Sequence, residues 1–597
     1  MLLSENISSE YIKTLDLEQK KELCAEIRKF LIDSVSQTGG HLASNLGTVE
    51  LTVALHSVFT TPADKIVFDV GHQSYTHKMI TGRYGKFGTL RSKGGISGFP
   101  RQSESEHDAF IGGHSSISVS AALGIAKAME LEGKEGNVIA VIGDGALTGG
   151  QAYEGLNNVT KLSNNLIVVL NDNEMSISRS KGMVAKHLTK MRSSRSYFEK
   201  KAAVKEFLSH SEIGKDISRS LSGTKDLIKF AIYQSNIFES LGLKYYGPVN
   251  GHDLAKLIEV LEVAKLTDAP CIVHVKTKKG KGYRPAELNS GEYHGVARTD
   301  RVSVRSGTFS EAAGLEVMRL GESNRRVCAV TAAMKYATGL EHFAKAFPER
   351  FFDVGIAEQH ALTFSCGLAS QGLIPVFAVY STFLQRCFDQ LIHDASIEKK
   401  HLVLLIDRAG FVGEDGETHQ GLYDVPMLSM IPNTEIYSPF DETTLKACIQ
   451  RAVNETDGIA AVRYPRGCCP EGVDEEYRDF YYNGGGSDTL TITYGRISHE
   501  MVDIDGADSL ILLKIFPVPE EAARIAAGYK RVIFFEEGMR HGGIAEKLLP
   551  MLNANGFRGK YEIAAVTGAV GAADTETQLK DAGLDRGGMT ERVKRAL

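Results

Sequence analysis

The sequence predicts an α/β fold made of mostly parallel sheets flanked by helices. Two observations support this prediction: short apolar runs rich in β-branched residues recur along the chain, and helical patterns separate them. The runs are continuous rather than alternating, which is typical of parallel strands buried on both faces. They cover residues 138–142, 166–170, 272–275, 376–380, 402–406, 510–512 and 532–535.

The length of the chain predicts several domains, because 597 residues exceed what one hydrophobic core usually serves. A polar join near 296–307 and a glycine cluster at 484–486 divide the chain into predicted domains at 1–305, 306–483 and 484–597. Between about 178 and 240 the apolar pattern fails and Lys, Arg and Ser accumulate. We predict a mobile, solvated excursion of the first domain there.

Composition limits the partners that the chain can have. There are 68 basic and 74 acidic residues, a net charge of -6, which argues against a nucleic-acid surface and favours small molecules. The eight cysteines show no C-x-x-C spacing, so we expect reduced thiols and a cytoplasmic location. The start of the chain is unlike a transit peptide, and no apolar stretch is long enough to span a bilayer, so we expect no membrane partner.

Two polar turns directly follow two of the predicted strands. Because the carboxyl ends of parallel strands meet at one edge of a sheet, we expect Asp144 and Asn173 to lie close together. One carboxylate and one amide oxygen suit Mg²⁺, which shares its remaining positions with phosphate oxygens and water. The two turns are Gly143-Asp144-Gly145 and Asn171-Asp172-Asn173.

The same region predicts how a diphosphate would be held. Glycine allows the backbone of Gly145 and Ala146 to approach a phosphate, and a helix predicted to begin near Thr148 would direct its first N–H groups at it.

Two other interpretations of these turns remain. Gly-Asp-Gly after a strand is by itself only a tight turn. A dinucleotide site is the second, with Asp172 as the ribose ligand and a glycine loop of Gly143, Gly145 and Gly149. An aspartate between the first two glycines would repel a pyrophosphate unless a cation intervened, so the metal interpretation accounts better for Asp144.

The paired turns resemble the metal–diphosphate motif of thiamine-diphosphate enzymes. That resemblance implies Mg²⁺ ligated by Asp144, Asn173 and the backbone carbonyl of Met175. Further motifs along nearly the whole chain resemble the 1-deoxy-D-xylulose-5-phosphate synthase family, which has a transketolase-like, three-domain fold. They are 41–47 (HLASNLG), 69–73 (DVGHQ), 113–116 (GHSS), 278–283 (KKGKGY), 353–360 (DVGIAEQH), 380–386 (YSTFLQR), 407–410 (DRAG), 415–421 (DGETHQG) and 463–467 (RYPRG).

The resemblance implies a set of residues that bind thiamine diphosphate. Glu358 would hydrogen-bond the aminopyrimidine ring, and its apolar approach (351–356) predicts a partly buried acid with a raised pKa. Because Asp144 and Glu358 fall in different predicted domains, we expect the cofactor at a domain interface. The implied set is His72, Gly113, His114, Ser115, Asp144, Gly145, Ala146, Asn173, Lys279, Tyr283, Ile356, Glu358 and Phe383.

A second implied set binds the substrates. Arg408 and Arg466 can hold a phosphate through their forked donors. His41, His294 and His419 are candidates for proton transfer, with no division of roles among them. The implied substrate-binding residues are Ser44, Tyr380, Arg386, Arg408, Asp415, His419 and Arg466.

The resemblance implies a homodimeric enzyme that decarboxylates pyruvate and joins the two-carbon unit to glyceraldehyde 3-phosphate. The products would be 1-deoxy-D-xylulose 5-phosphate and CO₂, in the first step of the non-mevalonate isoprenoid pathway. Two alternatives are a transketolase-type ketol transfer, against which the 415–421 stretch argues, and a non-catalytic cofactor-binding homologue, against which the retained Asp144, Asn173 and Glu358 argue. Departures from the family pattern are Asn250, Lys399-Lys400 and the 178–240 stretch, and none falls on an implied catalytic residue.

Overall fold

A computed structural model of the protein describes residues 2–162, 166–173, 237–298, 307–472, 477–501 and 504–596. The chain divides into two compact units. Unit 1 is Met1–Arg91 with Gly95–Val302, and unit 2 is Ser92–Gly94 with Ser303–Leu597. The excursion predicted at 178–240 lies outside the described residues except for its last four. The division into three domains stays a prediction.

In the described part of unit 1, the strands form one five-stranded parallel sheet with the order β1-β2-β3-β5-β4. Its core is mainly aliphatic, with a few buried aromatic residues, because both faces of the sheet are covered. The strands are β1 (Lys65–Phe68), β2 (Val138–Gly143), β3 (Leu166–Asp172), β4 (Lys244–Asn250) and β5 (Cys271–Lys276).

Helices cover the unit 1 sheet. The longest described one, Leu17–Thr38, begins at a capping box in which the Asp16 side chain accepts from the Gln19 N–H, and it buries residues spaced three or four apart. Shorter helical turns occupy Met79–Arg83, Tyr84–Thr89 and Ala146–Thr148. The α-helices of this unit are Ser9–Thr14, Leu17–Thr38, Leu42–Gly47, Val49–Val58, Tyr75–Lys78, Ser118–Leu131, Gly150–Leu162, Ile237–Ser240, Leu254–Lys265 and Arg284–Leu288.

The described residues of unit 2 form two sheets. The first, with the order β15-β10-β11-β9-β8-β6-β7, is parallel except for the β10–β15 pair. It contains β6 (Val327–Thr331), β7 (Phe351–Asp353), β8 (Ile374–Tyr380), β9 (Leu402–Asp407), β10 (Thr434–Tyr437), β11 (Ile459–Arg463) and, from later in the chain, β15 (Lys514–Phe516).

The second sheet of unit 2 has the order β12-β14-β13-β16-β17 and is parallel except for the β12–β14 pair. Its edge strand β12 precedes the glycine cluster at 484–486, which connects it to β13. Its strands are β12 (Phe480–Asn483), β13 (Thr489–Tyr494), β14 (Asp508–Leu512), β16 (Arg531–Met539) and β17 (Lys560–Val566).

Helices flank both sheets of unit 2. Helix Glu442–Asn454 shows why they form where they do: Asp441 caps its first turn through the Thr444 N–H, and its apolar side chains fall on one buried face. The α-helices are Phe309–Ser323, Glu341–Ala346, Glu358–Ser370, Ser381–Leu384, Phe388–Gln390, Asp424–Leu428, Glu442–Asn454, Ser498–Met501, Glu520–Ala527, Ile544–Ala554, Thr575–Asp581 and Arg586–Ala596. Shorter turns lie at Pro348–Arg350, Gln385–Cys387, Leu391–Ser396, Gly416–Thr418 and Gly495–Ile497.

The predicted α/β class is confirmed, and each of the seven apolar runs lies within a strand of a mainly parallel sheet. Some strands that the sequence did not single out are short, such as β7, or carry exposed polar residues, such as β17, so their apolar runs are broken. Two others, β6 and β11, are fully buried and were missed although their apolar runs are nearly continuous. Within the described ranges, no helix combines the length and the apolar character needed to cross a membrane.

Candidate active site

The two polar turns of unit 1 meet at the carboxyl edge of its sheet. Gly143 pairs with Asn171 in the parallel register of β2 and β3, and the Asp144 N–H donates to the Asn171 carbonyl at 3.2 Å. The backbone N–H groups of Gly145 and Asn173 donate to the Asp144 carboxylate. The predicted closeness of Asp144 and Asn173 is therefore confirmed. Met175, the third implied metal ligand, lies outside the described residues.

The Asp144 carboxylate lies in an environment suited to a cation. Burial raises the pKa of Asp144 to about 6, the nearby Asp172 adds to the rise, and Lys279 opposes it. Burial likewise lowers the pKa of Lys279, against the attraction of Asp144. A divalent cation at Asp144 would offset the unfavourable burial of its negative charge, so the residues present fit Mg²⁺.

A short turn, Ala146–Thr148, separates the Asp144 turn from the helix Gly150–Leu162. The helix thus begins two residues later than the predicted start near Thr148, because Gly149 is extended. The Ser116 hydroxyl donates to the Ala146 carbonyl at 2.7 Å, which holds the turn against the 113–116 loop. The buried Gly145 and Ala146 backbone is therefore tied in place beside Asp144.

Asp172 does not serve the dinucleotide interpretation. Its carboxylate oxygen Oδ2 lies 2.9 Å from His274 Nε2, and His274 Nδ1 lies 2.7 Å from the Tyr245 hydroxyl. The Asp172 and His274 side chains are fully buried. A carboxylate that is fully buried and held by His274 in this way is unsuited to binding a ribose.

Asp69, directly after β1, fixes the loop that carries Gly113, His114 and Ser115. Its two carboxylate oxygens accept from the backbone N–H groups of Ser116 and Ser118 at 2.7 and 2.9 Å. Asp69 is 1% exposed. Asp69 belongs to the 69–73 motif but no role was predicted for it, although its position directly after a short apolar run is a signal that could have indicated one.

The structure brings three of the implied site histidines together. The ring centroids of His41, His72 and His294 are 5.1 to 5.5 Å apart. The sequence grouped His41 and His294 as proton-transfer candidates and placed His72 with the cofactor, so these two predicted sets adjoin. His419 belongs to unit 2.

Asn45 holds two of these histidines at the backbone. Its Nδ2 donates to the carbonyls of His41 and His72 at 2.6 and 2.7 Å, and its Oδ1 accepts from the Tyr75 N–H at 2.8 Å. Asn45 is fully buried, and its role was missed because a lone asparagine in a helix has no distinctive sequence signal. The neighbouring Ser44 hydroxyl is buried and has no hydrogen-bond partner in the described part of the chain, as a ligand-binding group would.

The Lys279–Tyr283 stretch adjoins the His41 segment. The Gly280 N–H donates to the Ala43 carbonyl at 2.8 Å, and the Ala43 N–H donates to the Tyr293 carbonyl at 2.9 Å. The Tyr283 ring lies edge-on to Tyr293 with centroids 5.7 Å apart. The implied cofactor residues of unit 1 come from five separate stretches of the sequence.

In unit 2, Glu358 is the first residue of helix Glu358–Ser370 and is 3% exposed. The turn before it is held by Asp353, whose Oδ1 accepts from the N–H groups of Ala333 and Gly355 at 2.9 and 3.1 Å. Burial raises the pKa of Glu358, against the opposing effect of Arg386. The predicted burial and raised pKa of this acid are confirmed.

Arg386, which the resemblance implies as a substrate-binding residue, contacts Glu358. Its Nε lies 2.8 Å from Glu358 Oε2, with both side chains at most 8% exposed. The contact is an ion pair whose N–H direction departs from that of an aligned hydrogen bond. Ile356 and Phe383, the other implied cofactor residues of this unit, are half-buried.

Three implied substrate residues of unit 2, Arg408, Asp415 and Arg466, lie near Tyr380. The Arg408 guanidinium lies 3.8 Å from the centre of the Tyr380 ring. Burial raises the pKa of Tyr380 to about 12, and the charges of Arg408, Arg466 and Asp415 also act on it. Phe383 stacks on Tyr380 at 5.7 Å.

His419 and Asp407 also lie near Phe383 and Tyr380, respectively. The His419 ring lies edge-on to Phe383 at 5.6 Å, and its Nδ1 lies 2.8 Å from the Thr418 hydroxyl. Asp407, the last residue of β9, is fully buried and accepts from the Ser310 hydroxyl at 2.7 Å. Burial raises the pKa of Asp407 to about 6, with Arg408 opposing. Asp407 begins the 407–410 motif, but no role was predicted for it.

Comparisons with known proteins match nearly the whole chain. Residues 3–277 match the family described as 1-deoxy-D-xylulose-5-phosphate synthase, and residues 306–471 match the transketolase pyrimidine binding domain. The chain is 45% identical over 585 residues to a 1-deoxy-D-xylulose-5-phosphate synthase of Pelotomaculum thermopropionicum, with 94% of this chain and 91% of that protein covered. For the protein of that name from Caldanaerobacter subterraneus, the identity is 44% over 603 residues, with 97% of both covered. The chain is 50% identical over 462 residues to a protein of the same name from Clostridium kluyveri, and the match covers 76% of this chain and 74% of that protein.

Proposed function

On the premise that the chain belongs to the 1-deoxy-D-xylulose-5-phosphate synthase family, a transketolase-like family of transferases, we propose that it converts pyruvate and glyceraldehyde 3-phosphate into 1-deoxy-D-xylulose 5-phosphate and CO₂. The proposed cofactors are thiamine diphosphate and Mg²⁺. This reaction would supply the isoprenoid pathway.

One observation supports the proposal that glyceraldehyde 3-phosphate is the acceptor substrate. Arg408 stacks on Tyr380, and the charge of Arg466 reaches the same ring. Two guanidinium groups near one aromatic ring can bind a phosphate through forked donors, as glyceraldehyde 3-phosphate requires. The resemblance adds Ser44, Arg386, Asp415 and His419 to the residues that bind the substrates.

The proposed role of unit 1 is to hold the charged end of the cofactor. Asp144, Asn173 and the Met175 carbonyl would ligate the cation, and the backbone of Gly145 and Ala146 would lie against the diphosphate. The resemblance adds His72, Gly113, His114, Ser115, Lys279 and Tyr283. The raised pKa of Asp144 supports this role, because a buried carboxylate is more stable beside a cation.

The proposed role of Glu358 is to hold a proton at the aminopyrimidine nitrogen. When bound, thiamine diphosphate supplies a nucleophilic carbon and accepts the electrons released by decarboxylation. Burial of Glu358 favours its protonated form, which is the form that donates a hydrogen bond. Ile356 and Phe383 would orient the ring. His41, His294 and His419 would move protons to and from the two carbonyl groups.

The proposal includes a homodimer in the cytoplasm. Family resemblance supports the dimer, and the cysteines support the location: all eight lie in the described ranges and none is bridged. Light scattering on the purified protein tests the dimer.

The deciding experiment incubates the purified protein with thiamine diphosphate, Mg²⁺, pyruvate and glyceraldehyde 3-phosphate. Release of CO₂ together with a pentulose phosphate is expected. Interconversion of xylulose and ribose phosphates without CO₂ would establish ketol transfer instead. Inactivity in both assays, with thiamine diphosphate still bound, would favour a non-catalytic homologue.

A further inference from the structure

We infer that side chains from residues 484–597 position the acceptor-binding segment 408–413, an inference that rests on the proposed function. The segment follows β9 and precedes the turn Gly416–Thr418. It begins with Arg408, which is proposed to bind the acceptor phosphate. Residues 484–597 themselves contain no residue of the implied cofactor or substrate sets.

The backbone of this segment cannot form a regular strand. Arg408, Gly410 and Gly413 have φ angles of 59°, 82° and 83°, so left-handed residues interrupt it three times within six positions. Gly410 bonds to Gly421 through a single isolated bridge. The other backbone groups, although buried, need partners from elsewhere, because an unpaired buried N–H is costly.

The backbone of Phe411 finds its partners in an ion pair, Arg496–Glu537, from the second sheet of unit 2. Glu537 on β16 accepts from the Phe411 N–H at 2.7 Å, and Arg496, just after β13, donates to the Phe411 carbonyl at 2.9 Å. Arg496 and Glu537 are also paired with each other, with Nε to Oε2 at 3.0 Å. A Cβ at Gly410 would collide with the Glu537 carboxyl, so the segment lies directly against it.

The second partner is Gln578 in helix Thr575–Asp581. Its Oε1 accepts from the Gly413 N–H at 3.1 Å, and its Nε2 donates to the Gly413 carbonyl at 3.1 Å. Gln578 is 3% exposed and also donates to the Gly571 carbonyl at 2.9 Å. Both backbone groups of Phe411 and both of Gly413 are thus bonded by side chains from this C-terminal part.

These contacts help to fix the positions of both arginines of the proposed phosphate site, Arg408 and Arg466. Arg408 is the first residue of the held segment, and its guanidinium lies over Tyr380. The Val412 carbonyl, between the two held residues, accepts from Arg466 Nη1 at 3.5 Å. Loss of the Gln578 contacts should therefore displace the groups that bind the phosphate of glyceraldehyde 3-phosphate and leave those for pyruvate in place.

The test uses the full-length protein with Gln578→Met, which keeps the size of the side chain and removes its two hydrogen bonds to Gly413 and the one to Gly571. The matched control is Asp508→Asn, since Asp508 is also nearly buried and holds backbone N–H groups, those of residues 485–487. Hydrogen exchange should accelerate at 408–413 in Gln578→Met only. The KM for glyceraldehyde 3-phosphate should rise by about tenfold or more, with the KM for pyruvate unchanged.

Arg496→Lys is the second variant, in case Gln578→Met does not fold. It keeps a positive charge beside Glu537 and removes the donor to Phe411, and a smaller change in the same direction is expected. Unchanged exchange at 408–413, or faster exchange with an unchanged KM for glyceraldehyde 3-phosphate, overturns the inference. An equal rise in both KM values also overturns it. If the wild-type protein makes no product, the proposed function fails separately, and exchange rates together with calorimetric binding of glyceraldehyde 3-phosphate decide the inference.

Discussion

Glu358 Oε2 and Arg386 Nε lie 2.8 Å apart in a nearly water-free part of unit 2. Burial favours the neutral form of Glu358, whereas the guanidinium of Arg386 favours the charged form, and the raised pKa shows that burial dominates. Because burial raises its pKa, the Glu358 carboxyl takes up a proton more readily than an exposed glutamate, and its protonated form can donate a hydrogen bond.

Glu358→Ala should reduce turnover by about 10²-fold or more, because it removes the proposed proton-holding group. Binding of thiamine diphosphate with Mg²⁺ should persist, since other residues are proposed to hold the diphosphate end. CO₂ release and isothermal titration calorimetry measure the two effects. Glu316→Ala serves as the control, because Glu316 is likewise buried and paired with an arginine, Arg319, in unit 2. Wild-type turnover in Glu358→Ala would remove Glu358 from the mechanism.

Arg408→Lys should raise the KM for glyceraldehyde 3-phosphate by about tenfold, equivalent to ~1.4 kcal/mol. Lysine keeps the charge but loses the planar group that stacks on Tyr380 and the forked donors for phosphate. Steady-state kinetics with each substrate varied in turn provide the measurement. Arg451→Lys is the matched control, because Arg451 stacks on Tyr477 at 4.7 Å in the same unit. Equal KM values in both variants would contradict a phosphate role for Arg408.

His274→Phe should weaken Mg²⁺-dependent binding of thiamine diphosphate. The change leaves the buried Asp172 carboxylate without the His274 ring, at a cost of about 1–3 kcal/mol, and Asp172 adjoins Asn173. Calorimetry at a series of Mg²⁺ concentrations should show a higher half-saturating value. Tyr245→Phe removes only the hydroxyl at the far side of His274 and should have a smaller effect. An unchanged Mg²⁺ requirement in His274→Phe would show that Asp172 does not need this support.

Asp407→Asn should change how stability depends on pH. The folded-state pKa of about 6 lies above the ordinary value of ~3.9, so the folded protein binds this proton more tightly than the unfolded chain does. The wild type therefore loses up to about 3 kcal/mol of stability as pH rises from ~4 to ~6, at ~1.4 kcal/mol per pKa unit. The Asp407→Asn variant has no carboxyl at this position and should not lose stability in this way.

The unfolding free energy of Asp407→Asn minus that of the wild type should thus increase as pH rises from ~4 to ~6. Above pH ~6 this difference should stay constant. Denaturant unfolding at several pH values measures it. Ser310→Ala should extend the upper end of the interval to higher pH, because the Ser310 hydroxyl lowers the folded-state pKa of Asp407. A difference that does not vary with pH would contradict the assigned ionisation.

Much of the fold and part of the site follow from the sequence. Continuous apolar runs define seven of the parallel strands, and the strand-end position of Asp144 and Asn173 follows from parallel pairing alone. The apolar approach to Glu358 correctly indicates its burial. These properties depend on residues that are neighbours in sequence or on a pairing rule that holds for any parallel sheet.

Other relationships depended on the tertiary structure. Asn45 links two stretches of backbone, Asp172 meets His274 from 102 positions away, and Gln578 reaches Gly413 from 165 positions away. No local pattern encodes such contacts, because they arise only when separate elements pack against each other. The sequence by itself determined the α/β class and the strand-end turns, since periodicity and β-strand geometry are local. The tertiary structure decided which buried polar groups hold the site residues in place, since hydrogen bonds between distant segments depend on how the elements pack.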